Sequence, residues 1–425
     1  MLRPRLGLGL RPPGDGESSL LASIVSHPNY TASVAGTNVS TTRATSMTCP
    51  FTGITLGNNI PCTRRIYLGG KAHDAFGAWP QYQQLLTQSN NLAAWQFLDA
   101  TPSGNTVTEG SAGSSYAATP SSSPFTAAAT ICATIKVRSS TLTWLRVIVR
   151  DSSTSNGCSI WINLQTKKLG TVSNAGSGTG WSATATVQSD GFIRLVIIGS
   201  CGGAGTTATI RSVSASANGS ITKVNGSVYE IKQAQLTQSL VAFPYAETTS
   251  SPVTVNENKH LMTVNVGVSG AYLVCAVPTF WSVGANIAHP SAGQARLCEA
   301  AANDGVYRTN NDFVNKVDAG GTQGPTTSGL SLTENVPTTR FCTWDSSAVS
   351  MFRDGVFSIS DTSLSPPYTT RTSIGIGCSP ATANQNWCGL VLVGVCDGFI
   401  PSASAMGAWH RSVVRALQPL SAPIL

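Results

Sequence analysis

Apolar and polar residues alternate along many short segments of this chain, and the pattern predicts β-strands. In TWLRVIVRD, residues 143–151, the apolar Leu145, Val147 and Val149 alternate with larger, mostly polar side chains. One face of this strand is therefore expected in a core and the other largely in water. Similar segments separated by turns follow one another before residue 250, namely ATICATIKV, CSIWINLQ, WSATATVQ, FIRLVIIG and TTATIRSVSAS. Such a series predicts an antiparallel sandwich.

A second series of strand-like segments begins near residue 251, with HLMTVNVGVSG, GAYLVCAVPTF, QARLCEAA, TRFCTWDSSAVSMFRDGVF, TSIGIG and WCGLVLVGVCDG. Residues 228–249 separate the two series, because an alternating strand there gives way to a Thr/Ser/Pro-rich stretch typical of a linker. Near the C-terminus, Pro401 and Ser402 are helix-start residues followed by apolar residues at helical spacing. This pattern predicts a short C-terminal helix.

The first part of the chain lacks such periodicity. Its prolines, glycines and polar runs, as in RPPGDGESS and LGGKAHDAFGAWP, predict an irregular arm over residues 1–82 that docks on a partner or on its own domain. The predicted fold class is all-β, with two antiparallel β-sandwiches of jelly-roll type in series. They occupy residues 83–250 and 251–425, after the N-terminal arm and with the short helix at the end.

Composition supports a folded chain of several domains. Of the 425 residues only 11% are charged, against 41% hydrophobic, and the 41 glycines accompany many serines and threonines. This mixture favours short strands joined by turns. The net charge of +7 has no basic stripe interleaved with aromatic residues, so no nucleic-acid partner is predicted. No apolar run is long enough to predict a membrane span, and the Pro/Gly-broken N-terminus does not resemble a signal peptide.

The cysteines and the titratable residues give little indication of chemistry. Eleven cysteines, an odd number without a C-x-x-C pair, argue against a zinc site. We expect mostly buried, reduced thiols, with a disulfide between Cys49 and Cys62 as the first alternative. The 19 carboxylates form no local pair, the five histidines are scattered, and no phosphate-loop or H-E-x-x-H motif occurs. The sequence therefore predicts no enzyme, no metal and no cofactor.

Sugar binding is the chemistry that the sequence allows, since it needs an aromatic face and a few amides. Tryptophans in strands more often pack in a core. In CSIWINLQ, however, Ile160 and Ile162 alternate with Trp161, so Trp161 shares the polar face with Asn163 and Gln165. Trp161, Asn163 and Gln165 are therefore the candidate ligand-binding residues, for a sugar or a neighbouring subunit.

Five segments, in order, resemble a known family. TQSNNLAAW, the Gly180-Trp181 pair, DGFIRLVI and AQLTQSLVAFPY, preceded by STTRATSM, are similar to jelly-roll modules, related to carbohydrate-binding modules, of bacteriophage head-fibre and tail proteins. Those modules carry "NLLTQSN…W", "GWYR" and "AQLEQG…PTSYIPT" phrases after "FTRAST"; here Thr237 stands in place of the usual Glu. The hairpin pattern TWDSSAVSMFRDGV, followed by the terminal helix, resembles a concanavalin-like or laminin-G-like lectin sandwich.

The resemblance implies a non-enzymatic virion surface protein, such as a head fibre, spike or tail-associated protein. It would be assembled in the host cytoplasm, attach to other virion proteins through its N-terminal arm, form homo-oligomers and bind host-surface glycans. Two alternatives stay open. One is an architectural capsid decoration or cement protein that binds no ligand. The other is a secreted bacterial lectin module, which the absence of a signal-peptide pattern disfavours.

Overall fold

The computed structural model describes residues 15–49, 55–79, 82–188, 190–203, 205–239, 242–255, 259–278, 295–301, 304–309, 312–316, 326–327, 336–362, 368, 370–378 and 389–418. Strands dominate, with one helix near each end. In chain order the elements are α1 (Asp15–Val25), β1 (Tyr30–Ala32), β2 (Val39–Thr42), β3 (Met47–Thr48), β4 (Thr55–Leu56), β5 (Thr63–Leu68), β6 (Lys71–Ala78), β7 (Tyr82–Gln84), a 3₁₀ helix (Leu92–Ala94), β8 (Gln96–Leu98), β9 (Ala100–Ser103), β10 (Thr106–Glu109), β11 (Tyr116–Ala118), β12 (Ile131–Arg138), β13 (Trp144–Asp151), β14 (Gly157–Asn163), β15 (Lys168–Ala175), β16 (Thr179–Val187), β17 (Ile193–Ser200), β18 (Ala208–Ala215), β19 (Val228–Thr237), β20 (Val253–Val255), β21 (Lys259–Val266), β22 (Gly270–Pro278), β23 (Ala295–Ala301), β24 (Asp304–Thr309), β25 (Asp312–Lys316), β26 (Thr326–Thr327), β27 (Thr338–Trp344), β28 (Val349–Arg353), β29 (Val356–Asp361), β30 (Arg371–Ile376), β31 (Gly389–Asp397) and α2 (Ala403–Leu417).

The chain forms two compact units. The terminal unit comprises Met1–Thr41, Thr63–Ala78 and Asn258–Pro419, and the central unit comprises Thr42–Cys62, Trp79–Glu257 and Leu420–Leu425. Both are built from antiparallel sheets, and the terminal unit ends in helix α2. The predicted all-β fold class with a short C-terminal helix is therefore confirmed.

The central unit is a sandwich of two six-stranded sheets. The front sheet has the strand order β16-β17-β12-β19-β10-β9, and the back sheet has the order β15-β14-β13-β18-β11-β8. The predicted alternation of β13 is confirmed, because Leu145, Val147 and Val149 are buried in one core cluster with Ile160 and Ile162 of β14. Each sheet therefore has one face in this core and an outer face directed away from it.

The terminal unit has an eight-stranded sheet, β29-β28-β27-β22-β31-β6-β5 with β1 beside β31. Its second sheet has seven strands in the order β2-β21-β30-β23-β24-β25-β26. The rings of Tyr272 and Trp344 pack at a tilt of 45° inside its core cluster, with their centroids 4.6 Å apart. The predicted hairpin is present, since Asp345 Oδ1 accepts from the backbone N–H groups of Ser347 and Ala348 in the turn between β27 and β28. In α2, the Ser402 hydroxyl accepts from the Ala405 N–H at 3.2 Å, as expected of a helix N-cap.

Residues 1–82, predicted as an irregular docking arm, contain regular strands in their described part, while their role in docking stays a prediction. Strands β5 and β6 extend the eight-stranded sheet beyond β31, β1 pairs with β31, and β2 pairs with β21. Helix α1 contacts α2, where Arg411 Nε lies 2.8 Å from Glu17 Oε1. Pairing partners that lie hundreds of residues away cannot be found from local periodicity. Residues 15–41 and 63–78 are thus an integral part of the terminal unit, and residues 42–49 and 55–62 belong to the central unit.

A buried hydrogen-bonded group ties this segment to the C-terminal helix. Tyr30 OH lies 2.7 Å from His73 Nε2, and Trp409 Nε1 donates to the same hydroxyl at 3.3 Å. His73 Nδ1 lies 2.9 Å from the Lys71 carbonyl oxygen, which can only accept, so Nδ1 carries the hydrogen. His73 Nε2 therefore accepts from the Tyr30 hydroxyl, and the imidazole is neutral. Burial lowers the pKa of His73 to about 4.

This histidine makes the terminal unit sensitive to acid. In the unfolded chain His73 takes up a proton below its ordinary pKa of 6.5, whereas in the folded chain it stays neutral down to about pH 4. Stability is therefore fully present above pH 6.5 and falls as the pH drops through this window, by about 2 kcal/mol between pH 7 and pH 5. The variant His73→Gln, whose amide can accept from Tyr30 without titrating, should lose most of that dependence. Urea midpoints of both proteins at the two pH values measure it, and equal shifts would contradict the assignment.

The cysteines include both one disulfide and buried free thiols. Cys49 and Cys62 form a disulfide, with their Cα atoms 5.5 Å apart. Eight other cysteines are free and buried, and Cys388 lies outside the described residues. Burial raises the pKa of the Cys132 thiol to about 12, which makes its reactive thiolate scarce at neutral pH. The free thiols thus serve as small core residues.

Candidate functional site

The predicted platform at Trp161 is not exposed. The strand alternation was correct, because Ile160 and Ile162 lie in the core and Trp161 lies on the outer face of the back sheet. The indole is nevertheless only 4% exposed. Its Nε1 donates to the Ser220 carbonyl oxygen at 2.7 Å, and the Arg146 guanidinium lies 5.2 Å from the ring centroid. A loop and an arginine therefore cover the ring that a sugar would need for stacking.

The two amides predicted beside it are also engaged within the protein. Asn163 Oδ1 accepts from the backbone N–H groups of Gln165 at 3.0 Å and Thr166 at 2.8 Å, which shapes the turn between β14 and β15. Gln165 Nε2 donates to the Leu142 carbonyl oxygen at 3.0 Å. The geometry expected of a ligand site, an open ring beside free amides, is absent at these three residues.

The segments that carry the family resemblance meet instead on the other side of the central unit. Ser89, from the opening phrase, lies 2.7 Å from the Tyr245 hydroxyl of the closing phrase. The neighbouring Asn90 Oδ1 accepts from the Gln233 N–H at 3.1 Å. From the upstream phrase, strand β3 brings the Thr48 N–H within 2.8 Å of the Tyr245 carbonyl oxygen. These contacts hold residues 242–248 against the outer face of the front sheet.

A pocket lies where these segments converge. Its volume is about 370 Å³, and this figure includes open solvent at the mouth of the pocket. Seven of its nine lining residues carry an amide, a hydroxyl or a cationic group; the lining consists of Thr48, Cys49, Thr134, Lys136, Gln188, Arg194, Gln233, Pro244 and Tyr245. All of these residues belong to the central unit. The pocket therefore collects polar groups from several distant segments of one sandwich.

Two cations dominate the electrostatics of the pocket. Arg194 is 7% exposed, and burial lowers its pKa. Its guanidinium makes one hydrogen bond to the described residues, to the Phe243 carbonyl oxygen at 2.9 Å. Lys136 Nζ lies 3.2 Å from Asp190 Oδ2; burial lowers the pKa of Lys136, and Asp190 opposes that shift. The guanidinium thus keeps hydrogen-bond donors available in a partly desolvated site.

Gln233 contributes an amide whose acceptor is unused. It sits at a bulge in the pairing of β12 with β19 and has φ of 52°, a left-handed conformation uncommon outside glycine. Its Oε1 is buried and has no hydrogen-bond partner among the described residues. An unsatisfied buried acceptor costs about 1–3 kcal/mol. Backbone strain together with a buried acceptor that lacks a hydrogen bond is typical of functional positions.

Sequence reasoning missed these residues, although weak signals exist. Arg194 interrupts the otherwise apolar segment FIRLVIIG of a strand that has one face in the core. A buried strand tolerates such a charge only where its outer face offers a polar environment. Gln233 carries no local signal, because its bulge becomes visible only when β12 is paired with β19.

The comparisons with known proteins give only distant likenesses. No protein-family model matches the sequence. No curated protein matches it either. Among solved structures, the receptor-binding domain of botulinum neurotoxin type G is 11% identical over 36% of this chain and 39% of that chain, with a TM-score of 0.27.

Two further solved structures are similar to parts of the chain. Domain 4 of AbnA, an extracellular arabinanase of Geobacillus stearothermophilus solved with arabinotriose, is 14% identical over 40% of this chain and 82% of that chain, with a TM-score of 0.24. The LG4-5 domains of mouse laminin α1 are 12% identical over 75% of this chain and 90% of that chain, with a TM-score of 0.22. At such TM-scores none of the three decides the function of this chain.

The described residues contain neither a cluster of metal ligands nor a helix suited to a membrane. Within the described ranges, no group of three or more His, Cys, Asp or Glu side chains is arranged to hold a metal ion. Among the helices that the structure describes, none has the length and apolar character needed to cross a membrane.

Proposed function

We propose that the protein is a non-enzymatic saccharide-binding protein of a bacteriophage particle surface, with the front-sheet pocket as its ligand site. One observation carries the proposal: four of the five segments that resemble phage head-fibre and tail modules reach this pocket or hold its walls, and only the Gly180-Trp181 pair does not. Arg194 comes from the DGFIRLVI segment, and Tyr245 is the last residue of the closing segment AQLTQSLVAFPY. Gln233 directly precedes that closing segment, and Thr48 directly follows the upstream segment STTRATSM.

The chemistry of the lining supports saccharide binding. Sugar hydroxyls both donate and accept, and the pocket offers amides at Gln188 and Gln233, a hydroxyl at Thr134 and a guanidinium at Arg194. The Gln233 acceptor without a partner would gain one from a sugar hydroxyl after a small side-chain movement. Glycoside hydrolysis uses a pair of carboxylates, and no carboxylate is among the lining residues. We therefore propose binding without catalysis, and weak affinity per site that many copies on a particle would strengthen.

The location rests on the resemblance alone. As a head fibre, spike or tail protein, the chain would be displayed on the virion after assembly in the host cytoplasm and would contact other virion proteins. The competing proposal is an architectural decoration protein, in which the pocket holds no saccharide. Electron microscopy of intact particles labelled with an antibody against the chain tests the location for both.

A single amide substitution tests the pocket. Replacing Gln188 with Ala should weaken saccharide binding about tenfold, because one hydrogen bond to a ligand hydroxyl is lost in a partly desolvated site. The matched control is Gln165→Ala, which removes an amide from the back-sheet turn and should leave the affinity unchanged. The labelled full-length protein is first applied to an array of neutral and acidic oligosaccharides, and the best ligand is then titrated by calorimetry. Binding that is equal in both variants would refute the pocket, and no binding by the unaltered protein would favour the architectural role.

A further inference from the structure

A row of arginines occupies the outer face of the back sheet. On β13, Arg146, Ile148 and Arg150 alternate with core residues, and Arg211 of β18 pairs directly with Ile148. At about 3.3 Å per residue, Arg146 and Arg150 lie roughly 13 Å apart along the strand, and Arg211 lies about 5 Å to the side, midway between them. The three arginines thus project from one face of two neighbouring strands, named here the arginine face.

None of these arginines is neutralised within the described part of the chain. No carboxylate there lies within ion-pair distance of Arg146, Arg150 or Arg211, and Nε of both Arg150 and Arg211 is buried without a hydrogen-bond partner. The outer face of the front sheet differs, because its Lys136 is paired with Asp190 at 3.2 Å. On the front sheet Arg194 also lacks a carboxylate partner, but it is a single cation, whereas the back sheet brings three unpaired arginines together on one face.

The arginines are also partly desolvated. All three are half-buried. Burial lowers the pKa of Arg146 and of Arg211, and the charge of Arg150 lowers that of Arg211 further. Half-buried like charges without counter-charges reduce stability. An anion bound across the arginine face would relieve this repulsion.

Aromatic rings hold two of the guanidinium groups in place. Arg146 lies over the Trp161 ring and donates to the Ser159 hydroxyl at 2.8 and 3.1 Å, and Arg211 lies 4.6 Å from the centroid of Tyr116. Side chains held in this way lose little conformational freedom when a ligand binds. The arginines occupy the faces of these two rings, so the rings are not available for stacking by nucleic-acid bases.

We propose that the arginine face binds an acidic polysaccharide through carboxylate groups along the polymer, separately from the front-sheet pocket. Guanidinium groups bind carboxylates through two parallel hydrogen bonds, and a strip of them fits an extended polymer with repeated charges. A folded acidic protein would need an apolar centre to its interface. The centre of this face is instead formed by Ile148 and the charged Arg211.

Charge-matched variants test the proposal. The probe is polygalacturonate, immobilised for biolayer interferometry with the full-length protein at about 50 mM and about 200 mM salt. The double variant Arg150→Gln/Arg211→Gln should bind at least tenfold more weakly and with a smaller salt dependence. The double variant Lys167→Gln/Lys168→Gln, which removes the same charge from the exposed turn after β14, should stay within about twofold of the unaltered protein. Equal losses in both variants would overturn the proposal, since only net charge would then matter.

Three further measurements separate the remaining interpretations. Arg150→Lys/Arg211→Lys keeps the charge but loses the planar fork, so binding several-fold weaker than that of the unaltered protein is expected without misfolding. Gln188→Ala should bind polygalacturonate normally, and a loss there would place the acidic ligand in the pocket and overturn the second site.

Single-stranded DNA of equal charge should bind more weakly; equal or tighter binding would make the arginine face a nucleic-acid surface. Failure of saccharide binding in the pocket would not affect these results.

Discussion

A chain that lacks residues 1–41 is expected to lose the fold of its terminal unit. Within this segment the side chains of Ile24, Val25, Tyr30 and Val39 are almost completely buried. Its strand β1 pairs with β31, and its strand β2 pairs with β21. Fully burying one such side chain contributes about 1.5–3 kcal/mol. Several of them together approach the whole stability of a typical domain, which is about 5–15 kcal/mol. The terminal unit should therefore unfold, while the central unit, which begins at Thr42, should remain folded.

Hydrogen exchange followed by mass spectrometry measures this outcome. Peptides from β22, β27 and β31 should lose protection in the shortened chain, and peptides from β12, β17 and β19 should keep it. The control lacks only residues 1–14, which lie outside the described residues. Retained protection of β22 and β31 would restore the interpretation of the N-terminal segment as a dispensable arm.

The sequence predicted the elements whose signal is local. The alternation of Leu145, Val147 and Val149 placed one face of β13 in the core, and Ser402 marked the start of α2. Strand β6 was missed because His73 and Asp74 are polar, yet both are buried. His73 bonds to Tyr30, and Asp74 accepts two hydrogen bonds from Arg65. Buried polar residues need partners, and those partners are visible only in three dimensions.

The candidate site shows the same limit. Periodicity placed Trp161 on the outer face of its strand, which is correct, but it carried no information about the loop that covers the ring. The pocket depends on Gln188, Arg194 and Gln233, which lie in different segments and meet only when the front sheet forms. The segments that carry the resemblance contribute Arg194, Pro244 and Tyr245 to the lining, and the other lining residues come from outside them.

Replacing Trp161 with Ala is accordingly expected to destabilise the central unit instead of removing a ligand site. The indole is buried, carries the guanidinium of Arg146 on one face and holds the loop that contains Ser220 through its N–H group. Large-to-small changes of buried aromatic residues cost about 3–5 kcal/mol. Trp161→Phe keeps most of the packing and loses mainly the hydrogen bond to Ser220, so its cost should be nearer 1–2 kcal/mol, about the value of that bond with its orphaned acceptor.

Urea unfolding of the full-length protein, with exchange of β13 and β14 peptides as the readout for the central unit, measures both changes. Gln165→Ala serves as the control, because Gln165 is exposed and loses only its hydrogen bonds to loop carbonyl oxygens, so its midpoint should shift far less than that of Trp161→Ala. Since the loop carrying Ser220 covers the ring, Trp161→Ala should loosen residues 216–222 before it affects the core. An unchanged unfolding midpoint together with a loss of saccharide binding would contradict this account, because the ring would then be an open platform for ligand stacking.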